Sequence, residues 1–388
     1  MRHGITLTES VEGLRRFTTP SSAVIGIVAT STPGGNQTEQ DIADHFPLNK
    51  PVLLTGDLGT AAVKAGFGGT LRSALFAIAD QSEAVVVVVR VAEGADADAT
   101  ELNVIGEKGA NAYTGLQALL VAEEKTGVKP RIIGCPGLDT QAVVDEMVGV
   151  AQKLRGFAYA AAVGEDVAEA ILYRDNFDAR ELMLLWPATS DAFDGDAVAR
   201  ALGLRARIDA ETGWHKTLSN VAVQGMTGLA KDVSFDIMSG DNDAGLLNAA
   251  DITTLVRMQG YRFYGNRTCS ADDAWAFESR VRTSQALQDA IADALVWAID
   301  KPLTPQLVRD ISESVNAEFR RLQAEGRIIG GQVLPLDDSV NTAAFLASGQ
   351  LAIDYEFTDT APLENLQLDQ RVTDRFYANF SDQVSGLS

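Results

Sequence analysis

The chain is poor in histidine and cysteine and has no long apolar run, and each scarcity excludes a kind of site or protein. Its 388 residues include 3 histidines and 2 cysteines. His3, His45 and His215 are isolated from one another, and no pair has the spacing that places two imidazoles on one helix face, so we predict no metal site. No stretch of about 18 uninterrupted apolar residues occurs, so the sequence predicts no membrane-spanning helix. No apolar run follows the first basic residues, which favours a protein made in the cytoplasm and kept there or released by lysis.

Basic residues are also scarce. The chain has 32 lysines and arginines against 53 aspartates and glutamates, which gives a formal net charge of -21. A surface with this excess of negative charge repels a phosphate backbone or an anionic membrane. We therefore expect neither nucleic acid nor a membrane as a partner, and an anionic partner would have to meet a local basic patch.

The loops that usually bind phosphate are absent. There is no Gly-x-x-x-x-Gly-Lys-Ser/Thr and no Gly-x-Gly-x-x-Gly between a strand and a helix. The nearest candidate is the segment 66–70, Gly-Phe-Gly-Gly-Thr, which follows a predicted helix instead of a strand and is interpreted as a turn. The sequence therefore predicts no nucleotide or other cofactor.

One cysteine leaves an enzymatic interpretation open. Cys135 lies at the end of an apolar strand and before the turn Pro136-Gly137, which is where open α/β sheets place their sites. An α/β enzyme with a site near Cys135 is thus an alternative, although no histidine at a predictable position could serve as its base. The other interpretation treats Cys135 and Cys269 as small buried apolar residues.

Residues 21–215 alternate apolar runs with segments of helical periodicity. The five consecutive valines from Val85 to Val89 are typical of a strand that is buried on both faces. Apolar runs of this kind, separated by helices, predict an α/β domain with a mostly parallel sheet. The predicted strands are Ala23 to Ala29, Val52 to Thr55, Ala84 to Val91, Arg131 to Gly134, Phe157 to Val163 and Glu181 to Trp186. The predicted helices include Leu71 to Ala79, Leu116 to Glu124, Ala142 to Leu154 and Val198 to Leu204.

Residues 216–362 have a different pattern, which predicts a second, α+β domain of helices and sheet. The alternation stops after Trp214, and the segment from Leu218 to Ile237 is polar and β-like, with several glycines. Two long helices are predicted, Asp273 to Ile299 and Thr304 to Glu325, because prolines interrupt the helical pattern between them. The segment from Leu351 to Thr358 alternates apolar and polar residues, as a half-buried strand does.

The helix from Thr304 to Glu325 carries an arginine stripe. At about 100° per residue, its apolar residues share one narrow arc, and Arg309, Arg320 and Arg327 share another arc roughly 120° away. The stripe is either a solvated face with salt bridges along the helix or a docking ridge for an acidic partner. The residues considered for docking are Arg309, Arg320, Arg321 and Arg327.

The two ends of the chain are predicted to be extended arms, residues 1–20 and 363–388. Each contains a short alternating piece, which is too small to be a stable strand alone. Such a piece can add to the sheet edge of another subunit, where it finds main-chain partners. The apolar residues expected to make these contacts are Ile5, Leu7, Leu366, Leu368 and Val372.

The most specific motifs lie in the second domain. They are the segments 246–255 (LLNAADITTL), 260–268 (GYRFYGNRT) and 275–283 (WAFESRVRT). This part of the chain resembles the carboxy-terminal domain of contractile tail sheath proteins, and it is most similar to the sheaths of temperate myophages and R-type pyocins. The segments 21–26 (SSAVIG) and 51–54 (PVLL) also fit that family.

The resemblance implies a structural protein and not an enzyme. It implies stacked six-membered rings around a tail tube, an extended metastable state that contracts when the baseplate triggers it, and arms donated to neighbouring sheath subunits. The helix from Thr304 would face the tube and the first domain would face outward. Expected partners are further copies of the chain, the tail tube protein, and baseplate and tail terminator proteins, in a virion tail or an extracellular contractile particle. A non-contractile scaffold or shell protein is the remaining alternative.

Overall fold

The computed structural model describes residues 21–35, 37–109, 112–190 and 193–379. The strands are β1 (Ile25–Thr30), β2 (Val52–Leu54), β3 (Val86–Val91), β4 (Ile132–Gly134), β5 (Phe157–Ala161), β6 (Leu182–Trp186), β7 (Ala222–Val223), β8 (Ile252–Arg257), β9 (Tyr261–Tyr264), β10 (Ile328–Val333) and β11 (Tyr355–Asp359). The helices are α1 (Glu39–Ala43), α2 (Leu58–Lys64), α3 (Leu71–Ala79), α4 (Ala97–Ile105), α5 (Ala122–Thr126), α6 (Gln141–Leu154), α7 (Val167–Arg174), α8 (Asp196–Glu211), α9 (Asp243–Ala249), α10 (Glu278–Leu295), α11 (Pro305–Ala324) and α12 (Ala343–Ala347). Short 3₁₀ helices occupy Gly115–Val121, Asp273–Trp275, Val296–Ala298 and Arg375–Asn379.

The main sheet has the order β2-β3-β1-β4-β5-β6-β8-β9-β7. Its centre, from β3 to β8, is parallel, and the flanking strands β2 and β9 pair antiparallel with their neighbours. Central strands need apolar side chains on both faces because helices cover both sides. The predicted α/β class with a mostly parallel sheet is confirmed.

Two separate apolar cores lie on the two faces of this sheet. Along β1 the side chains alternate, so Ile25 and Ile27 enter one core while Val28 enters the other. Helices α2, α3 and α8 cover the first face, and α4, α6 and α7 cover the second. Each fully buried Ile or Val side chain contributes about 1.5–3 kcal/mol, so the two layers hold the helices firmly in place.

The main sheet continues across the boundary predicted at residue 215. Strand β8 pairs in parallel with β6, with Leu184 opposite Ile252. Leu255 of β8 and Phe263 of β9 belong to the first core. The segment 219–251 contains helix α9 and, as its strand, the two-residue β7, so the sheet resumes mainly with β8.

Helices α10 and α11 and a small antiparallel ribbon, β10–β11, form the rest of the described chain. Helix α11 begins as predicted, because the Thr304 side chain accepts a hydrogen bond from the Leu307 amide and Pro305 occupies the first turn. The helix buries Ile311, Val315, Phe319 and Leu322.

The ribbon packs closely against α11 at Gly331 of β10. Gly331 lies opposite Phe357 in the pairing, and a Cβ placed on Gly331 would lie 2.8 Å from the Phe319 ring. Two predicted boundaries differ: the helix predicted from Asp273 begins at Glu278, and the strand predicted from Leu351 begins at Tyr355. At the first of these the Asp272 side chain caps a short 3₁₀ helix instead, and Phe277 is extended.

Candidate assembly surfaces

The Cys135 thiol is buried in the second core and is not available for catalysis. Cys135 and Cys269 are both free and 0% exposed. Burial, together with the charge of Asp139, raises the pKa of the Cys135 thiol far above its usual range. Burial also raises the pKa of Asp139 to about 6, although the Ala161 amide donates to its carboxylate at 2.6 Å. A neutral, enclosed thiol is not a nucleophile, so the enzymatic alternative finds no reactive group here.

No cluster of histidine, cysteine, aspartate or glutamate among the described residues could hold a metal ion. The described helices include none that is long and apolar enough to cross a bilayer.

The four arginines predicted for docking fall into two kinds. Arg309 and Arg320 are exposed on the outer face of α11. Arg320 pairs with Glu313 at 2.5 Å, with both side chains more than half exposed, and such a pair is easily exchanged for a partner's carboxylate. Arg309 makes no ion pair with any described residue. These two side chains form the open part of the stripe.

Arg321 and Arg327 are held within the chain. Arg321 binds Glu318 through two nitrogens, at 2.9 Å and 2.5 Å, and the Glu318 side chain is only 2% exposed. The structure places Arg327 beyond the end of α11, after Gly326 turns the chain with a φ of +70°. Its guanidinium lies 4.6 Å from the centre of the Trp214 ring and 3.0 Å from Glu325. Arg327 therefore does not continue the helical stripe.

The carboxy-terminal segment lies exposed along the surface. Residues 360–374 have neither helix nor strand. Leu366, Leu368 and Val372 are 67%, 83% and 96% exposed, so their apolar side chains find no cover within the described chain. Ile5 and Leu7, predicted for the other arm, lie outside the described residues.

One arginine fixes the point where this segment leaves the domain. Arg267, within the segment 260–268, binds both carboxylate oxygens of Glu364 at 3.1 Å and 2.9 Å. It also lies 3.8 Å from Asp251, and its guanidinium is 5.5 Å from the centre of the Phe277 ring. A bidentate arginine–carboxylate pair sets direction as well as energy, so the segment starts in a defined orientation.

The β10–β11 ribbon offers free strand edges. In the described part of the chain no third strand pairs with either of its two strands. Val333 donates its amide to Asn316 of α11 at 2.8 Å, which holds the ribbon on the helix. Ile329, at a bulge in β10, is 60% exposed. Unpaired edges of this kind accept strands from other chains.

Sequence reasoning missed a buried charge network that joins α8 to α10. It consists of Arg205, Asp209, Glu278 and Arg282, of which none is more than 3% exposed. Arg205 binds Asp209 at 2.7 Å and Glu278 at 3.1 Å, and Arg282 binds Asp209. The two positive and two negative charges balance.

Neutral groups complete the contacts of Glu278. The Tyr159 hydroxyl donates to it, and so does the Leu218 amide at 3.2 Å. Burial alone would raise the pKa of Glu278, but Arg205 and Arg282 outweigh that effect and the net shift is downward. The sequence does contain two i, i+4 pairs of opposite charge, Arg205 with Asp209 and Glu278 with Arg282. The same spacing is typical of solvent-exposed pairs on a helix, so it did not indicate that these charges are buried.

A second ion cluster lies nearby. Asp289 of α10 binds Arg131 and also Arg155, the latter at 2.6 Å. Asp289 and Arg131 are both buried. Nearer the start of α10, Arg282 donates to the carbonyl of Ser22 at 3.4 Å, close to where the described chain begins. Helix α10 is thus tied to the sheet and to the start of β1 by charged groups.

Two family models match the chain. The model described as the phage tail sheath protein central domain matches residues 111–269, and the phage tail sheath C-terminal domain matches residues 270–373. The tail sheath protein of Escherichia phage P2 is 47% identical, over 99% of this chain and 98% of that protein. The major tail sheath protein of Serratia phage KSP20 is 40% identical, over 97% of this chain and 96% of its own length.

Solved structures share the fold. A chain of an extracellular contractile injection system, the PVC sheath complex in its contracted state, superposes with a TM-score of 0.68 at 15% identity, covering 97% of this chain and 99% of that one. A chain of the anti-feeding prophage baseplate gives a TM-score of 0.67 at 16% identity, covering 96% of this chain and 99% of the other.

Proposed function

We propose, because the chain belongs to the phage tail sheath family, that it polymerises as stacked hexameric rings around a tail tube and contracts to drive that tube through a cell envelope. As a member of this family the chain is a structural component of a tail and not an enzyme. The proposal concerns how its surfaces build and move the sheath.

The observation that carries the proposal is the exposed carboxy-terminal segment beside a ribbon with free edges. Leu366, Leu368 and Val372 are exposed in a segment without helix or strand, and no third strand pairs with β10–β11 among the described residues. An arm of one copy supplies a strand, and the ribbon of another supplies the edge. We extend this assignment to the amino-terminal arm with Ile5 and Leu7.

Side-chain burial decides the stability of each arm contact. A strand of about five residues gains roughly 1 kcal/mol net for each backbone hydrogen bond and loses about 1–2 kcal/mol per residue in ordering. The hydrogen bonds alone do not hold the arm, so the apolar side chains must be covered in the neighbour. Repeated over a polymer, a small gain for each arm holds the lattice together.

Helix α11 is the proposed contact with the tail tube. Its open arginines, Arg309 and Arg320, are positive charges on a chain of net charge -21 and fit an acidic tube surface. Arg321 and Arg327 support this face by holding Glu318 and Glu325. Baseplate and terminator proteins would meet the sheath at its two ends.

We propose that contraction moves each subunit nearly as a rigid body while the arms stay bonded. The residues 21–215 face outward and the residues 216–362 face the tube in this arrangement. The continuous sheet and the buried charges between α8 and α10 support the rigidity. The subunits then stay connected while the contacts to the tube break.

The test is negative-stain electron microscopy of the purified chain, alone and together with its tail tube protein. We expect hollow, ridged tubes from the chain alone and sheathed tubes from the mixture. A small uniform oligomer in both samples would contradict the proposal.

A further inference from the structure

A patch of aromatic and basic side chains lies exposed on the α2–α3 side of the main sheet. We call it the basic patch; it consists of Lys64, Phe67, Arg72 and Phe76. Phe67 is 62% and Phe76 39% exposed. The Arg72 guanidinium lies between them, 4.3 Å from the centre of one ring and 5.5 Å from the centre of the other.

The charge of this patch is not neutralised within the described chain. The segment 58–79 contains Lys64 and Arg72 and no aspartate or glutamate. Neither cation makes an ion pair with a described residue. One guanidinium nitrogen of Arg72, Nη1, is buried and has no hydrogen-bond partner. Arginine and aromatic side chains are enriched among the residues that dominate protein interfaces.

Helix α4 and its flanking residues, on the other side of the sheet, carry negatively charged side chains. We call it the acidic patch; it consists of Glu93, Asp96, Asp98, Glu101, Leu102 and Glu107. The segment 93–107 contains these five carboxylates and no lysine or arginine. None of them forms an ion pair with a described cation. Leu102, on the outer face of the helix, is 67% exposed.

The two patches lie on opposite layers of one domain. Leu75 and Ile78 of α3 pack in the core on one face of the sheet, whereas Val104 of α4 packs in the core on the other face. Phe76 and Leu102 point away from these two cores, so one chain cannot bring them together. Two copies placed side by side in the same orientation can do so, and contacts of this head-to-tail kind generate rings or helices.

We propose that the basic patch of one copy docks on the acidic patch of a second copy in the sheath. The planar fork of Arg72 binds a carboxylate of α4, and the phenyl rings cover Leu102. This contact is separate from the terminal arms, which leave the chain elsewhere. The inference rests on the proposed function, because the occupant is another sheath subunit.

The experiment is cysteine cross-linking of the full chain assembled into tubes. The double variant Phe76→Cys, Leu102→Cys is treated with a short bifunctional maleimide, and the products are separated under denaturing conditions. Both natural cysteines are 0% exposed, so the unmodified chain gives little background. We expect a ladder of dimers, trimers and longer products from the double variant and only monomer from each single variant.

Other outcomes overturn the inference. Dimers from the single variant Phe76→Cys would mean that the basic patches of two copies contact each other. If assembled tubes of the double variant gave only monomer, the basic and acidic patches would not be in contact. The wild-type chain must form tubes in the same preparation, and its failure to do so would count against the proposed function instead.

A charge exchange provides a second measurement. Arg72→Glu should lower the amount of sedimentable polymer roughly tenfold, and adding Asp98→Arg should restore most of it. Circular dichroism of the monomers checks that both variants fold. An equal loss of sedimentable polymer in Arg72→Glu and in the double variant Arg72→Glu, Asp98→Arg would overturn the proposed contact between the two patches.

Discussion

At the residue scale, the buried charges between α8 and α10 explain why polar residues stand in the segment 275–283. Glu278 and Arg282 would each be very costly to bury alone. They are tolerated because Arg205 and Asp209 pair with them and because Tyr159 and Leu218 complete the hydrogen bonds of Glu278. The charged residues of this segment therefore join α10 to α8.

We predict that Glu278→Ala lowers the free energy of unfolding by about 3–5 kcal/mol, because it leaves Arg205 buried without one of its two carboxylates. Urea denaturation of the dispersed chain, followed by tryptophan fluorescence, measures the loss. The control is Glu124→Ala, which removes a pair with Lys125 in which both side chains are more than half exposed and should cost less than about 1 kcal/mol.

The loss caused by Glu278→Ala should shrink in acid. The folded pKa of Glu278 lies below its ordinary value of 4.5, so its carboxylate stabilises the fold above that pH and loses this effect as the pH falls through the folded pKa. Equal losses for Glu278→Ala and Glu124→Ala at neutral pH would show that the network contributes no more than a surface pair.

At the element scale, helix α11 has a buried face and an exposed face with different contacts. The buried face of α11 holds Phe319 against the ribbon, and its outer face carries Arg309 and Arg320. Arg321 contributes to the stability of the fold, because it neutralises the buried carboxylate of Glu318. A substitution there would disturb folding as well as docking, so Arg321 is a poor choice for testing tube contact.

We predict that the double substitution Arg309→Glu, Arg320→Glu weakens binding of the chain to its tail tube at least tenfold, about 1.4 kcal/mol, by opposing an acidic surface. Stability should change little, because both side chains are exposed. Co-sedimentation with purified tubes measures the binding. The matched control is Lys125→Glu, a charge reversal on the α/β domain, and unchanged binding of the double variant would mean that the stripe is merely solvated.

Elements with a strong local signal could be predicted from the sequence. The valine run gave β3, and the prolines before α11 together with its apolar arc gave that helix almost to the residue. Strands β8 and β9 were not predicted, because β8 pairs with β6, which is far away in the chain, and β9 pairs in turn with β8. The same limit applies to the candidate surfaces: spacing assigned Arg327 to the helical stripe, but only the turn at Gly326 sends it to Trp214.

At the scale of the whole molecule, a folded body carries a carboxy-terminal segment that has neither helix nor strand over residues 360–374. The apolar side chains at Leu366, Leu368 and Val372 are among the most exposed in the described chain. Exposed apolar side chains of this kind fit the contacts with other chains that we propose.

Deletion of residues 366–388 should abolish tube formation while leaving unfolding unchanged, because the deletion retains Glu364 and its bonds to Arg267. Electron microscopy and urea denaturation of the same preparation measure the two effects. A full-length variant with Leu366, Leu368 and Val372 each replaced by Ser keeps the chain length and should also fail to form tubes. Normal tubes from the deleted chain would show that this arm is dispensable.

The two arginines that anchor the terminal segments are close together in the sequence. Arg282 holds the carbonyl of Ser22, and Arg267 holds the carboxylate of Glu364. In the proposed sheath, a load on one arm would therefore pass to the other arm across the segment 267–282. In the proposed sheath, each subunit would then act as a link between its two arms, and the load would follow a short path through the subunit.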